Sequence, residues 1–151
     1  MLANVHTVCI ETSPLGRARR TAAILCEELG LDANALVVSP LLSEHSMETW
    51  QGLTHAEVDA LYPGARQVRE VNKWTYVVPE GESYSLIDIR ARQWLANKRH
   101  ALVTIAVTHE MLSRTIQGAY GGLTPTETLG LSHRQDRNYW LHAGQIGELS
   151  C

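Results

Sequence analysis

The sequence predicts an α/β fold: a three-layer αβα sandwich around a mostly parallel sheet. Three observations predict it. Apolar runs of strand length, Val8-Cys9-Ile10 and Ala101 to Thr108, alternate with segments of helical periodicity. The run A-L-V-T-I-A-V-T is apolar throughout, as expected of a strand buried on both faces of a parallel sheet. The helical segments carry their own start and stop signals.

Taken in order, residues 7–12 read as the first buried strand. Residues 14–29 read as a helix, with Leu15, Ala18, Ala22, Leu25 and Leu29 on one stripe and Gly30 as the stop. Ser13 is placed to cap it, and Pro14 suits its first position. Val37 and Val38 suggest a short strand. Thr54-His55-Ala56-Glu57 is a capping box that opens a short helix, which Pro63-Gly64 ends. Ser83 to about Lys98 is a second long helix with Ile87, Ala91, Trp94 and Leu95 inward. After the strand at 101–108, a helix runs from about Met111 to Gly121-Gly122. Thr124-Pro125-Thr126-Glu127 is another capping box, and residues 138–149 form a final hairpin turning at Ala143-Gly144.

The bulk numbers fit one domain over residues 1–151. Hydrophobic residues make up 44%, charged residues 19%, and the formal net charge is −3. No basic excess points to nucleic acid, and no apolar run has the length of a membrane span. The opening Met1-Leu2-Ala3-Asn4-Val5-His6 lacks the charged and apolar regions of a signal peptide. Cys9, Cys26 and Cys151 are too few and scattered for a disulfide framework, which points to free thiols in a reducing cytoplasm. Cys9 and Cys26 fall on apolar faces and are expected to pack in the core. The seven histidines lack metal-ligand spacing, and His109-Glu110-Met111-Leu112-Ser113 is not a zinc H-E-x-x-H because its fifth residue is Ser113. No nucleophile elbow, P-loop or dinucleotide fingerprint occurs.

Ligands of open α/β sheets bind at the carboxyl ends of the strands. Arg17 and His109 both lie just past such ends. At residues 12–22, exposed amides, a helix dipole and a guanidinium converge, which suits a phosphate. For the capping signal alone, an ordinary surface helix is the simpler explanation.

The wording of these segments goes further. S-P-L-G-R-A-R-R-T-A at 13–22 resembles the S-x-L-x-R-A-x-x-T-A segment of the histidine phosphatase superfamily, the phosphoglycerate mutase-like enzymes. Val107-Thr108-His109-Glu110 resembles the family's V-S-H-G, and residues 111–123 continue the likeness. Leu41-Leu42-Ser43-Glu44 followed by Trp50-Gln51-Gly52-Leu53 resembles L-x-E…W-x-G-L, and Gly81-Glu82-Ser83 matches a G-E-S loop. Gln135-Asp136 resembles a polar pair of some relatives. The resemblance implies phosphomonoester hydrolysis through a phosphohistidine, without metal or cofactor, on a phosphorylated small molecule. It implies that Arg17, Ser13 and His109 bind phosphate, with His109 also catalytic. Glu44 would be the general acid, best served by a pKa raised toward neutral. Glu48 and His45 are alternatives less favoured by the register. Glu82 and Ser83 would border the substrate; a Pro/Gly turn leading to a helix cap is the simpler reading, and the two are compatible.

Two departures stand out. The family's usual glycine after His109 is Glu110, which would repel a phosphate unless it points away or pairs with Arg114. The family's opening strand, ending in R-H-G with the attacking histidine, has no counterpart here. Arg99-His100 precedes its strand, and eight residues at ~3.3 Å each separate His100 from His109 by about 26 Å. His6 also precedes its strand. The sequence thus reads as an N-terminally truncated domain missing its first strand and helix, with impaired activity. An unpaired sheet edge makes a homo-oligomer one expectation. Within the family, the short stretch between Gly52 and Pro79 favours a phosphatase over a mutase. Two other readings remain: a non-catalytic pseudo-enzyme that binds a phosphorylated ligand or partner chain, and a plain α/β domain sharing only the scaffold.

Overall fold

The computed structural model describes residues 8–32, 34, 36–98, 103–134 and 136–150. At its centre β1 (Val8–Thr12) pairs in parallel with β2 (Val37–Val38) on one side and β3 (Val103–Val107) on the other. Ile10 lies opposite Ile105, and Glu11 opposite Ala106. Alternation along the strands then feeds two different cores. Ile10, Ile105 and Val107 pack against α1 (Gly16–Glu28) through Ala22 and Cys26. Ala106 faces the other way, toward α4 (Tyr84–Ala96) and α5 (Glu110–Gly121), where Ile87, Ala91, Trp94, Leu112 and Ile116 form the larger core. Helices thus cover both faces, and the expected three layers are present.

Glu11 points into that second core without being orphaned. Its carboxylate accepts from the Trp94 indole at 2.7 Å and pairs with Lys98, tying α4 to the central strand.

Both capping boxes form as read. Thr54 opens α2 (His55–Leu61) and Thr124 opens α6 (Pro125–Gly130), each with its glutamate bonded back to the cap residue. Ser83 caps α4 by accepting from the Leu86 amide. The final hairpin pairs β4 (Arg137–His142) with β5 (Gln145–Ser150). Its turn residues Ala143 and Gly144 both have positive φ, 49° and 77°, as a type I′ turn requires.

Three expectations need correction. The cap of α1 is Leu15, not Ser13, and α1 begins at Gly16 rather than Pro14. Ser13 instead lies just past the end of β1, its amide donating to Val107 O at 2.9 Å. The strand at 101–108 is half-exposed rather than buried on both faces: residues 104–107 are half-buried and Val103 is 55% exposed. The cause is its place at an edge. Among the described residues β3 has one ladder partner, β1, while β4 and β5 form a separate two-stranded ladder. Cys26 is buried as expected, but Cys9 is only partly so. As read, the helix opened at Thr54 ends before Pro63-Gly64, with Tyr62 as its C-cap. Gly64 adopts φ +79° as a cap, and α3 (Ala65–Val71) follows at once. His6, His100, Gln135 and Cys151 lie outside the described residues.

Candidate active site

The parallel register puts the ends of β1 and β3 side by side, with Thr12 opposite Val107. Two residues past those ends the chain presents Ser13–Pro14 on one side and Thr108–His109 on the other. The Ser13 amide bond to Val107 O holds the two exits together. His109 then caps α5 in extended conformation, and its ring is not spent on the helix.

The ring instead bridges the two exits. Nδ1 lies 3.0 Å from Arg17 Nη2, and Nε2 lies 2.8 Å from Ser13 Oγ. A guanidinium only donates, so Nδ1 must be the acceptor. The proton of the neutral ring is therefore on Nε2, which donates to Ser13 Oγ. That hydroxyl also accepts from the Leu15 amide at 3.2 Å. Burial, aided by the Arg17 charge, holds the His109 pKa below its usual value, so the ring is neutral at pH 7. Arg17 stands exposed in the first turn of α1, with its guanidinium at the mouth.

Glu44 lies on the loop after a short 3-10 turn at Pro40–Leu42. Its Oε1 accepts from the His45 amide at 2.9 Å. Burial raises the Glu44 carboxyl pKa. The His45 amide, the Arg17 charge and the Leu112 amide oppose this, while Glu110 adds to it. Glu44 thus shares the electrostatic neighbourhood of Arg17 and of the α5 start. Glu110 pairs with Arg114 at 2.7 Å, as needed if it is not to oppose an anion beside His109.

The remaining candidates serve the protein itself. Glu82 Oε2 accepts from the Ser46 amide and from Arg90, and Ser83 caps α4. Glu48 accepts from the Ser46 hydroxyl at 2.7 Å, and His45 stacks on Tyr84. Asp136 pairs with Arg134. Among the described residues no other histidine bonds to Arg17 or Ser13. Nor does any group of three or more His, Cys, Asp or Glu side chains there suit a metal ion. No helix among them is long and apolar enough to cross a membrane.

Sequence reasoning missed Arg90 and Thr108. Arg90 Nη1 donates to the carbonyls of Leu41 and Ser43, and Thr108 Oγ1 donates to that of Leu42 at 2.8 Å. A signal existed for Arg90. It follows Ile87 by three residues and precedes Ala91, so it borders the buried stripe of α4 and needs internal partners there.

The chain is thus an α/β domain with a histidine, an arginine and a serine bonded together at the carboxyl ends of parallel strands and a half-buried carboxyl in the same electrostatic neighbourhood. The chain belongs to the histidine phosphatase superfamily (branch 1), whose family profile matches residues 1–143. It is 40% identical over 93 residues to a glucosyl-3-phosphoglycerate phosphatase of Mycobacterium tuberculosis, covering 61% of this chain and 39% of that protein. It is 32% identical over 127 residues to the enzyme of the same name from Mycolicibacterium vanbaalenii, covering 83% of this chain and 48% of the relative. The chain thus spans less than half the length of these curated relatives. Among solved structures, the mycobacterial glucosyl-3-phosphoglycerate phosphatase complexed with VO3 superposes with a TM-score of 0.69 at 26% identity, covering 94% of this chain and 74% of that one. A putative alpha-ribazole-5'-P phosphatase from Escherichia coli shares the fold with a TM-score of 0.74 at 16% identity, over 97% of this chain and 74% of the other.

Proposed function

We propose that this chain forms the phosphate-binding half-site of a phosphomonoesterase acting on a phosphorylated small molecule. The observation that carries the proposal is the bridge Arg17–His109–Ser13 across the ends of β1 and β3. Arg17 offers fixed charge and forked donors to two phosphoryl oxygens. A neutral His109 gains a proton as the anion arrives, and becomes a second charged donor where negative charge builds up on the phosphoryl group. Glu44, whose carboxyl pKa is raised by burial, is placed to give a proton to the leaving alcohol oxygen. In the resembled scheme a histidine nitrogen bonds to phosphorus as the alcohol leaves, and the resulting carboxylate then takes a proton from the water that cleaves the phosphohistidine.

The attacking nitrogen of the resembled scheme has no counterpart bonded into this pocket among the described residues. Loss of one member of such a unit costs on the order of 10⁶ in rate. The 151-residue chain by itself is therefore proposed to bind phosphate and to turn over phosphate esters poorly. The names of the mycobacterial relatives favour a phosphorylated sugar acid as the ligand class.

The test is hydrolysis of an aryl phosphate by the chain and by its His109→Ala variant, beside calorimetric titration with phosphate. Binding with no turnover above the variant supports the reading. Turnover that disappears in the variant places a working nucleophile in this chain and overturns the impairment. The absence of both binding and turnover removes the site.

A further inference from the structure

The G-E-S loop touches no phosphate-binding residue, and its geometry points to a different task. The segment carrying Glu44 is anchored on both sides of that residue. On the upstream side three successive carbonyls are taken: Arg90 Nη1 donates to Leu41 O at 3.2 Å and to Ser43 O at 2.5 Å, and Thr108 Oγ1 donates to Leu42 O. On the downstream side Glu82 brackets Ser46. Its backbone amide donates to Ser46 O at 3.0 Å, and its Oε2 accepts from Ser46 N at 3.1 Å. Arg90 Nη2 closes the frame by donating to the same Glu82 Oε2 at 2.8 Å. The bracket needs a glycine next to it. A Cβ on Gly81 would stand 2.5 Å from Ser46 O, a backbone atom that cannot swing aside.

We propose that Glu82 and Arg90 are a positioning pair, holding the loop from Leu41 to Ser46 so that the Glu44 carboxyl stays half-buried in the electrostatic neighbourhood of Arg17 and the start of α5. The pair ignores the ligand and acts through the backbone on either side of Glu44. Its side chains are largely screened, at 14% exposed for Arg90 and 26% for Glu82, so the geometry is rigid rather than a surface contact. A buried ion pair contributes little net stability against its desolvation cost. The pair is therefore suited to fixing a conformation more than to adding stability. Thr108 extends the frame to the residue next to His109, so the proton donor and the phosphate pocket share one support.

Glu44 as proton donor rests on the proposed function, but its positioning can be read without turnover. Glu44 is faced by Arg17 from α1, by Glu110 and the Leu112 amide from α5, by Tyr84 from α4, and by its own neighbour His45. The experiment follows the Glu44 carboxyl carbon by ¹³C NMR against pH, with its signal assigned by its loss in Glu44→Gln. Two effects of losing Arg90 have opposite signs. Removing a cation raises a carboxyl pKa, whereas releasing the loop to water lowers it. In Arg90→Met the Glu44 pKa is expected to fall toward that of a solvated glutamate. Glu82→Gln moves it the same way by less. Arg90→Lys, whose single ammonium cannot span two carbonyls and a carboxylate, falls between the native chain and Arg90→Met. A folded Arg90→Met in which Glu44 titrates as in the native chain, or higher, overturns the proposal. If Arg90→Met loses its native NMR dispersion, Glu82→Gln and Arg90→Lys decide by the same sign. A chain that fails to hydrolyse any phosphate ester leaves this readout intact.

Discussion

Arg17 Nη2 donates to His109 Nδ1 across 3.0 Å, joining the first turn of α1 to the residue that follows β3. The contact fixes the histidine tautomer and, with burial, keeps the ring neutral. It also sets a cation beside a potential cation, an arrangement tolerated only while the ring is uncharged.

It follows that Arg17→Met raises the His109 pKa while weakening phosphate binding. The lost charge-assisted contact is worth about 1.5–3 kcal/mol, or roughly 10- to 100-fold in affinity. NMR titration of the ring and calorimetry with phosphate read both effects. A His109 pKa unchanged or lower in the variant would separate the two residues electrostatically.

Stability should fall as the solution is acidified from neutral. Burial depresses the pKa values of His45, His109 and His133. In the unfolded chain each takes a proton near pH ~6.5, while the folded chain resists. Their contribution is fully present above that pH and is lost as pH falls through the unfolded value toward the folded ones. Thermal melts from pH 7.5 to 5.5 should show Tm decreasing, and the decrease should shrink in His45→Phe, which keeps the stacking on Tyr84. A Tm that rises over that interval contradicts the assignment.

Glu44 has the opposite sign. A carboxyl raised by burial stabilises the fold below its unfolded value of about 4.3, and that contribution is lost as pH rises through the folded pKa. Glu44→Gln should therefore melt a few degrees higher than the native chain at pH 7 and converge with it in acid. Equal Tm values at pH 7 would mean that the carboxyl is not penalised by burial.

Gly118 is predicted to tolerate no side chain. A Cβ there would lie 2.2 Å from Thr128 Oγ1 and 2.9 Å from Thr128 Cβ, where α5 crosses α6. Gly118→Ala should cost about 1–3 kcal/mol by overpacking, lowering Tm by several degrees. Calorimetric unfolding at pH 7 checks it, and an unchanged Tm would mean that the two helices separate freely.

The sequence was informative where local chemistry decides structure. The capping boxes at Thr54 and Thr124, the Ala143-Gly144 turn and the α4 stripe were each specified within a few residues, and each formed. Ser13 was misjudged because its hydroxyl serves a residue 96 positions away, and no local pattern records that partner. The burial of the strand before His109 was overestimated for a similar reason. Its apolar composition speaks to how the strand would pack, but the neighbours it has are a matter of topology. Family wording singled out Arg17, Glu44 and His109, and the structure bonds Arg17 to His109 and sets Glu44 in their electrostatic neighbourhood. The bonds of Glu82, Arg90 and Thr108 to the Leu41–Ser46 loop were not legible, because they go to backbone carbonyls and amides, which every sequence supplies.

The central claim is that Arg17, Ser13 and His109 form a phosphate pocket. The most direct measurement is calorimetric titration of the native chain and of His109→Ala with inorganic phosphate at pH 7. Saturable one-site binding to the native chain, weakened at least tenfold in the variant, is the predicted result. No saturable binding to a folded native chain, or equal affinity for both proteins, would contradict the account.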